Sequence, residues 1–178
     1  MIIHINGMPG VGKQTVARLL AESLDAHLID NHLLIDLVTS IHKRGSSDYF
    51  SMLEKLTDLV LEEVSRTSNE TFILTNALTD ELPEDRNRLD RLSQFAENHG
   101  LRFIQVLLNC DLEENKRRIA SENRLLKGKL VNAQELEFLR QNYTIYHPPS
   151  KFALTINATD SSAENISEQI KHYLDNLK

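Results

Sequence analysis

A glycine-rich stretch near the start of the chain has the residue types and spacing of a phosphate-binding loop. Residues 7–15 read GMPGVGKQT. Backbone N–H groups in such a loop bind phosphate oxygens, and Lys13 stands where a lysine reaches the terminal phosphates. The usual pattern has Ser or Thr directly after the lysine, whereas here Gln14 follows it and Thr15 comes one position later. The residues predicted to contact a nucleotide here are Gly7, Met8, Pro9, Gly10, Val11, Gly12, Lys13, Gln14 and Thr15.

Such a loop binds phosphate only when a strand precedes it and a helix follows it, and the flanking sequence predicts both elements. Residues 2–5 are apolar at nearly every position, as in a parallel strand that is covered on both faces. Apolar residues then recur at helical spacing, at Val16, Leu19, Leu20 and Leu24. The helix dipole adds to the attraction of the loop for phosphate.

Further short apolar runs alternate with helical patterns, which predicts a parallel sheet covered by helices. Four more strands are predicted over residues 27–30, 71–76, 102–108 and 152–156. Residues 59–63, LVLEE, imitate a strand that ends in acidic residues, but the helical spacing on both sides predicts a helix. No repeat or domain boundary stands out. The expected fold class is α/β, a three-layer α/β/α sandwich with a five-stranded parallel sheet, in a single domain over residues 1–178.

Composition excludes several classes of protein. The net charge of −6 does not suit a dedicated nucleic-acid binder, because phosphate backbones favour clustered Lys and Arg. Cys110 is the only cysteine, so no disulfide within the chain can form. The start of the chain lacks a signal-peptide pattern, and no apolar run approaches the length of a membrane span. We therefore expect a cytoplasmic protein with no membrane or nucleic-acid partner; the sequence leaves its oligomeric state open.

Asp30 is a second candidate for chemistry. It stands seventeen residues after Lys13, at the end of the strand predicted over 27–30. The carboxyl ends of parallel strands are where ligands bind in such sheets. The alternative is structural, because Asp30 also precedes a helix predicted over residues 33–42 and could cap it. Both interpretations stay open from the residues alone.

The loop resembles that of the adenylate kinases, which read G-x-P-G-x-G-K-G-T and also lack Ser or Thr directly after the lysine. The resemblance implies that Thr15 contacts the α-phosphate and that Gln14, or water held by it, occupies the magnesium position. Asp30 falls where shikimate kinases place a carboxylate that serves Mg²⁺ and the phosphoryl acceptor. His32 falls where those enzymes place a substrate-contacting carboxylate. Gln14 and Asp30 are thus candidate metal ligands, and ATP and Mg²⁺ are the implied cofactors.

A basic run, KRRIASENRLLKGK at residues 116–129, is the third signal. Phosphoryl transfer needs positive charge around the transferred group, and a closing lid supplies that charge while excluding water. Small-molecule kinases of similar topology carry such a lid after the fourth strand, which implies a lid over about 117–131. A solvated basic helix end is the alternative for this run, and Lys127 and Lys129 fit that alternative.

The resemblance also assigns individual lid residues. In shikimate kinases one arginine stacks on adenine and another, seven residues later, reaches the phosphates. Arg117 and Arg124 have this spacing, and Arg118 is an alternative stacker. Asn157 follows the last predicted strand, where related kinases border the adenine; its assignment rests on the resemblance alone.

Taken together, the chain resembles the P-loop small-molecule kinases of the nucleoside monophosphate, shikimate and gluconate kinase group. The resemblance implies an ATP-dependent phosphotransferase that acts on a small hydroxyl-bearing metabolite or nucleotide, with Lys13, Asp30 and Arg124 as catalytic residues. The third strand lacks the glycine triplet of shikimate kinases at its end and is nearer to gluconate kinases. The candidate acceptor contacts are Asn76, Asp80, Arg86 and Arg88, for which a charged surface helix is an equally good interpretation.

Two other functions stay open at this point. A regulatory NTPase would need a sensor such as Asp-x-x-Gly after the third strand, and GTP forms carry Asn-Lys-x-Asp, but neither motif occurs. A protein that binds nucleotide without chemistry is favoured by Gln14 and disfavoured by Asp30 and the basic run. The sequence does not name the acceptor or decide between ATP and GTP.

Overall fold

The computed structural model describes residues 1–67, 70–121 and 129–177. Its sheet has five parallel strands in the order β2-β3-β1-β4-β5. The strands are β1 (Ile2–Asn6), β2 (His27–Asp30), β3 (Phe72–Asn76), β4 (Phe103–Asn109) and β5 (Ala153–Asn157). Each begins and ends within one residue of the bounds expected from the sequence, so the predicted five-stranded parallel sheet is confirmed.

The described helices follow the predicted alternation. They are α1 (Lys13–Leu24), α2 (Asn31–Thr39), α3 (Ser47–Arg66), α4 (Pro83–Asn98), α5 (Leu112–Ile119), α6 (Ala133–Asn142) and α7 (Ala163–Asp175). Residues 59–63 lie inside α3, which confirms that LVLEE is helical. The bounds expected for α2 were wrong by two to three residues, because Asp30 already accepts from the His32 N–H and caps the helix there. None of the described helices is both long enough and apolar enough to span a bilayer.

The sheet lies between two helical layers, because its strands are apolar on both faces. One face packs against α1 and α7 through a core that includes Ile3, Ile5, Ile73, Val106, Leu20 and Ile170. The other face packs against α3 and α4 through a core that includes Ile2, Phe72, Leu74, Phe103, Leu61 and Leu92. The alternation of Ile2 and Ile3 between these cores is the two-residue period of a strand. The predicted three-layer sandwich is therefore confirmed, and its carboxyl edge presents the loop after β1.

Candidate active site

Asn6, the last residue of β1, fastens the start of the phosphate loop. Its buried side-chain oxygen accepts from the N–H groups of Gly7, at 3.0 Å, and Leu78, at 2.9 Å. Its side-chain nitrogen donates to the carbonyl oxygens of Leu78 and Tyr146. One amide thus ties the loop after β1 to the loop after β3. The sequence analysis missed this residue, because an Asn at a strand end has no distinctive spacing.

Two glycines of the loop are fixed by close packing. A Cβ at Gly7 would lie 2.5 Å from the carbonyl oxygen of Leu108. A Cβ at Gly10 would collide with the side chains of Asn115 and Ile119, and the φ of Gly10 is +91°, which L-residues rarely adopt. The loop therefore sits tightly against β4 and α5, which leaves its N–H groups and Lys13 to define the phosphate site.

A short chain of side chains braces the loop from behind. The buried Asn115 donates to the carbonyl oxygen of Pro9 at 2.9 Å. Arg140, on α6, in turn donates to the Asn115 side-chain oxygen at 3.0 Å and to the carbonyl oxygen of Cys110 at 2.9 Å. The conformation of the loop is thereby tied to a helix that follows the basic run.

Arg118 acts as a second brace. Its guanidinium donates to the carbonyl oxygens of Val11, at 2.9 Å, and Ala158, at 2.6 Å, and to the carboxylate of Glu114 at 2.6 Å. Hydrogen bonds from Arg117 and Arg118 lower the pKa of Glu114 to about 2. The geometry does not favour the prediction that Arg118 stacks on adenine, because its donors already hold loop carbonyls. Arg117 is 75% exposed in its side chain and lines the cleft, so it stays the candidate stacker.

Lys13 lies over its own loop. Its ammonium donates to the carbonyl oxygens of Gly7, at 2.6 Å, and Met8, at 3.0 Å. Thr15 is exposed on the first turn of α1, two residues further along. The positive charge is therefore held at the mouth of the loop, where phosphate oxygens would replace the carbonyls.

Asp30 is held at both carboxylate oxygens. Oδ1 accepts from the His32 N–H at 3.2 Å and from the Thr75 hydroxyl at 3.4 Å, while Oδ2 accepts from the Gln14 amide. The Gln14 oxygen accepts from the ammonium of Lys129 at 2.8 Å. Asp30 thus caps α2 and also faces the phosphate loop, so the cap does not exclude a role in chemistry, which stays a prediction.

His32 lies beside this cluster and lines the same cleft. Burial, and next the nearby charge of Lys129, lower its pKa below the usual value. The imidazole is therefore neutral at pH 7. A neutral ring can donate one hydrogen bond through one nitrogen and accept one through the other, whereas the carboxylate that the resemblance places here could only accept.

Lys13, Gln14, Asp30 and His32 line one cleft of about 1620 Å³, which runs from the phosphate loop past Asp30 toward α3 and α4. Of the candidate acceptor contacts, Asn76 and Arg88 line the cleft. Asp80 and Arg86 are not among its lining residues, and they pair with each other at 3.3 Å, so for these two the surface interpretation fits the structure.

The sequence analysis missed Asp85, which also lines the cleft. Its carboxylate accepts from the backbone N–H of Thr79 at 2.9 Å and from the Thr79 hydroxyl at 3.1 Å. Burial raises its pKa above the usual value, in spite of these donors. Its place on the first turn of α4 looked from the sequence like an ordinary acidic residue near a helix N-terminus.

Three expectations are not tested by this geometry. Arg124 and Lys127 lie in 122–128, outside the described residues, as does the middle of the predicted lid. Asn157 ends β5, where its side-chain oxygen accepts from the N–H of Thr159 at 3.0 Å and from its hydroxyl at 2.7 Å. It is not among the residues that line the cleft, so its contact with adenine stays a prediction.

The donor set fits Mg²⁺ at Asp30 better than at Gln14. Carboxylate oxygens suit this hard cation, and the Asp30 carboxylate has capacity beyond the three donors that hold it. Gln14 presents its N–H to Asp30 and its oxygen to an ammonium, so a cation on Asp30 would not face the amide oxygen. Direct ligation by Gln14 stays an untested prediction that this conformation does not favour. No group of three or more His, Cys, Asp and Glu side chains among the described residues could enclose a metal ion.

Comparison with known proteins identifies a family and a shared fold. A family model described as an AAA domain matches residues 3–139. The chain belongs to the AAA domain family. No curated protein sequence matches the chain.

Solved structures of kinases share the fold of this AAA domain protein. A gluconokinase from Sinorhizobium meliloti 1021 superposes with a TM-score of 0.66 at 15% identity, over 98% of this chain and 91% of that one. The Mycobacterium tuberculosis APS kinase in complex with AMPPNP and APS gives 0.60 at 19%, over 98% and 96%. The shikimate kinase from Aquifex aeolicus vf5 gives 0.58 at 18%, over 99% and 98%. The P-loop kinase fold implied by the sequence is confirmed, and identities this low support the fold alone.

Proposed function

We propose that the protein is an ATP-dependent phosphotransferase that moves the γ-phosphoryl group onto a hydroxyl of a small metabolite or nucleotide. The observation that supports this proposal is that an ammonium group and a carboxylate group line the same cleft. Lys13 stands at the mouth of the phosphate loop, and the Asp30 carboxylate faces the same loop from the end of β2. A cationic donor site next to a fixed carboxylate is what transfer to a hydroxyl requires.

The reaction follows from these positions. The acceptor hydroxyl oxygen forms a bond to the γ-phosphorus, and the bond from that phosphorus to the β–γ bridging oxygen breaks. The hydroxyl proton passes to the Asp30 carboxylate, and ADP leaves with the electron pair of the broken bond. Lys13 and the loop N–H groups stabilise the negative charge on the phosphate oxygens. Mg²⁺ bound with the nucleotide supplies further positive charge, and Arg124 is the predicted lid contribution.

The acceptor half of the cleft constrains the substrate. Two apolar residues that line the cleft, Phe50 and Leu82, are 36% and 41% exposed. Two charged residues, Asp85 and Arg88, line it as well. Exposed apolar side chains in a cleft gain free energy when a ligand covers them. A hydroxyl compound with an apolar or aromatic face fits this half better than one that is polar on every side, so nucleosides and nucleotides belong in the first panel beside sugars and hydroxy acids.

The test is acceptor-dependent release of ADP from Mg-ATP across such a panel. One class of compound should stimulate release, and Lys13→Ala should reduce the stimulated rate by at least about 100-fold, as loss of a transition-state charge contact typically does. Lys55→Ala, on the exposed face of α3, is the matched control and should behave as the parent. A Lys13→Ala variant that kept the full stimulated rate would refute the assignment.

A nucleotide-binding protein without transfer is the second candidate. It is favoured by Gln14, which replaces the hydroxyl that usually faces the metal. The Gln14 side chain is also hydrogen-bonded to Asp30 and Lys129. Tight binding of ATP with no compound stimulating ADP release would decide for this candidate.

A further inference from the structure

Gln14 connects two charged groups that come from distant parts of the chain. Its side-chain nitrogen donates to Oδ2 of Asp30, at the end of β2. Its side-chain oxygen accepts from the ammonium of Lys129 at 2.8 Å, 115 residues further along. Lys129 lies shortly before α6, in the last part of the basic run. A single amide therefore spans from the acceptor-side carboxylate to the segment that follows residues 122–128.

The chemistry of the side chain explains why Gln stands at this position. A primary amide carries a donor and an acceptor at its end, so it can serve an anion and a cation at the same time. Hydrogen bonds to charged partners are the stronger class. A Ser or Thr hydroxyl at position 14 sits on Cβ and is too short to reach both partners. Glu would accept from Lys129 but would set a second carboxylate against Asp30, which is repulsive.

The two oxygens of Asp30 are held unequally. Oδ1 has two partners at 3.2 and 3.4 Å, from His32 and Thr75, both at the long end of hydrogen bonding. Oδ2 accepts from the side-chain nitrogen of Gln14. Without Gln14, the rotation of the carboxylate about its own axis would be set by two weak contacts on one oxygen.

We propose that Gln14 and Lys129 are positioning residues, which together fix the Asp30 carboxylate and tie the end of the basic run to the phosphate loop. Gln14 is on this account a substitute for the usual Ser or Thr with a different task, and not a weakened metal ligand. The catalytic consequence rests on the proposed phosphotransferase function, in which Asp30 receives the acceptor proton. The connection itself does not rest on it.

Thermal unfolding of the nucleotide-free protein tests the connection without any chemistry. The set is the parent, Gln14→Thr, Lys129→Met and the double variant. Lys129→Met should lower Tm by about 2–4 °C, the effect of about one hydrogen bond in a chain of this length. Gln14→Thr should lower Tm by at least as much, because it also removes the donor to Asp30. The double variant should lose less than the sum of the two single variants, because both single changes remove the contact between Gln14 and Lys129. Gln94→Thr, exposed on α4, is the control and should leave Tm within about 1 °C. Fully additive losses in the double variant would overturn the proposal.

Kinetics with a stimulating acceptor test the positioning role. Gln14→Thr restores the residue type of the common loop pattern. It should nevertheless lower kcat about tenfold, because it removes one charge-assisted hydrogen bond to Asp30. The KM for ATP should stay within about twofold. Lys129→Met should add little to the loss in the Gln14→Thr background. A Gln14→Thr enzyme as fast as the parent would refute the positioning role. A parent that releases no ADP with any acceptor would refute the proposed function, and the thermal cycle would still decide whether the connection exists.

Discussion

Replacing Gly10 by Ala tests whether the phosphate loop is held as tightly as its packing indicates. The added Cβ would collide with the side chains of Asn115 and Ile119, both fully buried. Asn115 cannot move away cheaply, because it is bonded to Pro9 and Arg140. The backbone adds a second cost, since the φ of Gly10 is +91°.

The magnitude follows from a comparison with Gly100. Gly100 has a φ of +63°, and no atom lies within 4 Å of the point where an alanine Cβ would stand, so Gly100→Ala meets only the backbone cost of about 1–2 kcal/mol. Gly10→Ala meets that cost and also the overlap with two buried side chains, which typically costs about 1–3 kcal/mol. The two variants should therefore differ by about 1–3 kcal/mol in the free energy of unfolding, or about 2–12 °C in Tm for a chain of this length.

Urea and thermal unfolding of the parent and both variants measure the difference, and calorimetric titration with ATP measures the consequence for the site. Gly10→Ala should also weaken ATP binding, while Gly100→Ala, which lies away from the cleft, should not. Equal destabilisation by the two variants, with ATP affinity unchanged in both, would show that the loop is not packed against α5 as described.

Two further predictions concern groups beneath the site. The His4 ring is fully buried, and burial lowers its pKa to about 4 from 6.5. The unfolded chain takes up the proton first, so the contribution of this group to stability is complete above pH 6.5. It falls by about 1.4 kcal/mol per pH unit as pH drops from 6.5 toward 4. His4→Gln should remove that part of the slope in urea unfolding at about pH 7, 6 and 5; parallel profiles would contradict the assignment. Arg140→Met removes the donor to the side chain of Asn115 and loosens its hold on Pro9, so it should weaken ATP binding about fivefold. Calorimetric titration measures the affinity, with Arg66→Met on the exposed end of α3 as the control. An unchanged affinity would show that this brace does not contribute to ATP binding.

The parts of the fold that the sequence predicted are those fixed by local pattern. The strand at residues 27–30 and the helix over residues 59–63 were recognised by apolar spacing, because burial on one or both faces imposes a period on the sequence. The loop was recognised in the same way, because tight packing and positive φ at Gly10 admit only glycine.

The parts that the sequence did not predict depend on which elements cross in space. Lys129 read as a solvated lysine, since nothing near it in the chain indicates a contact with Gln14, 115 residues away. Arg118 was named only as an alternative to Arg117 for stacking on adenine, and nothing near it in the chain indicates its bonds to the carbonyl oxygens of Val11 and Ala158. A local sequence pattern indicates the interactions that a side chain can make, whereas the packing of α5 against the phosphate loop determines the partners that Arg118 has.

Transfer of a labelled γ-phosphoryl group from ATP is the most direct test of the central claim. With the stimulating acceptor and Mg²⁺, label should appear in an organic phosphate, and it should be lost in Lys13→Ala and strongly reduced in Asp30→Asn. Label that appears only as inorganic phosphate, with or without acceptor, would contradict a phosphotransferase and indicate a hydrolase at the same loop.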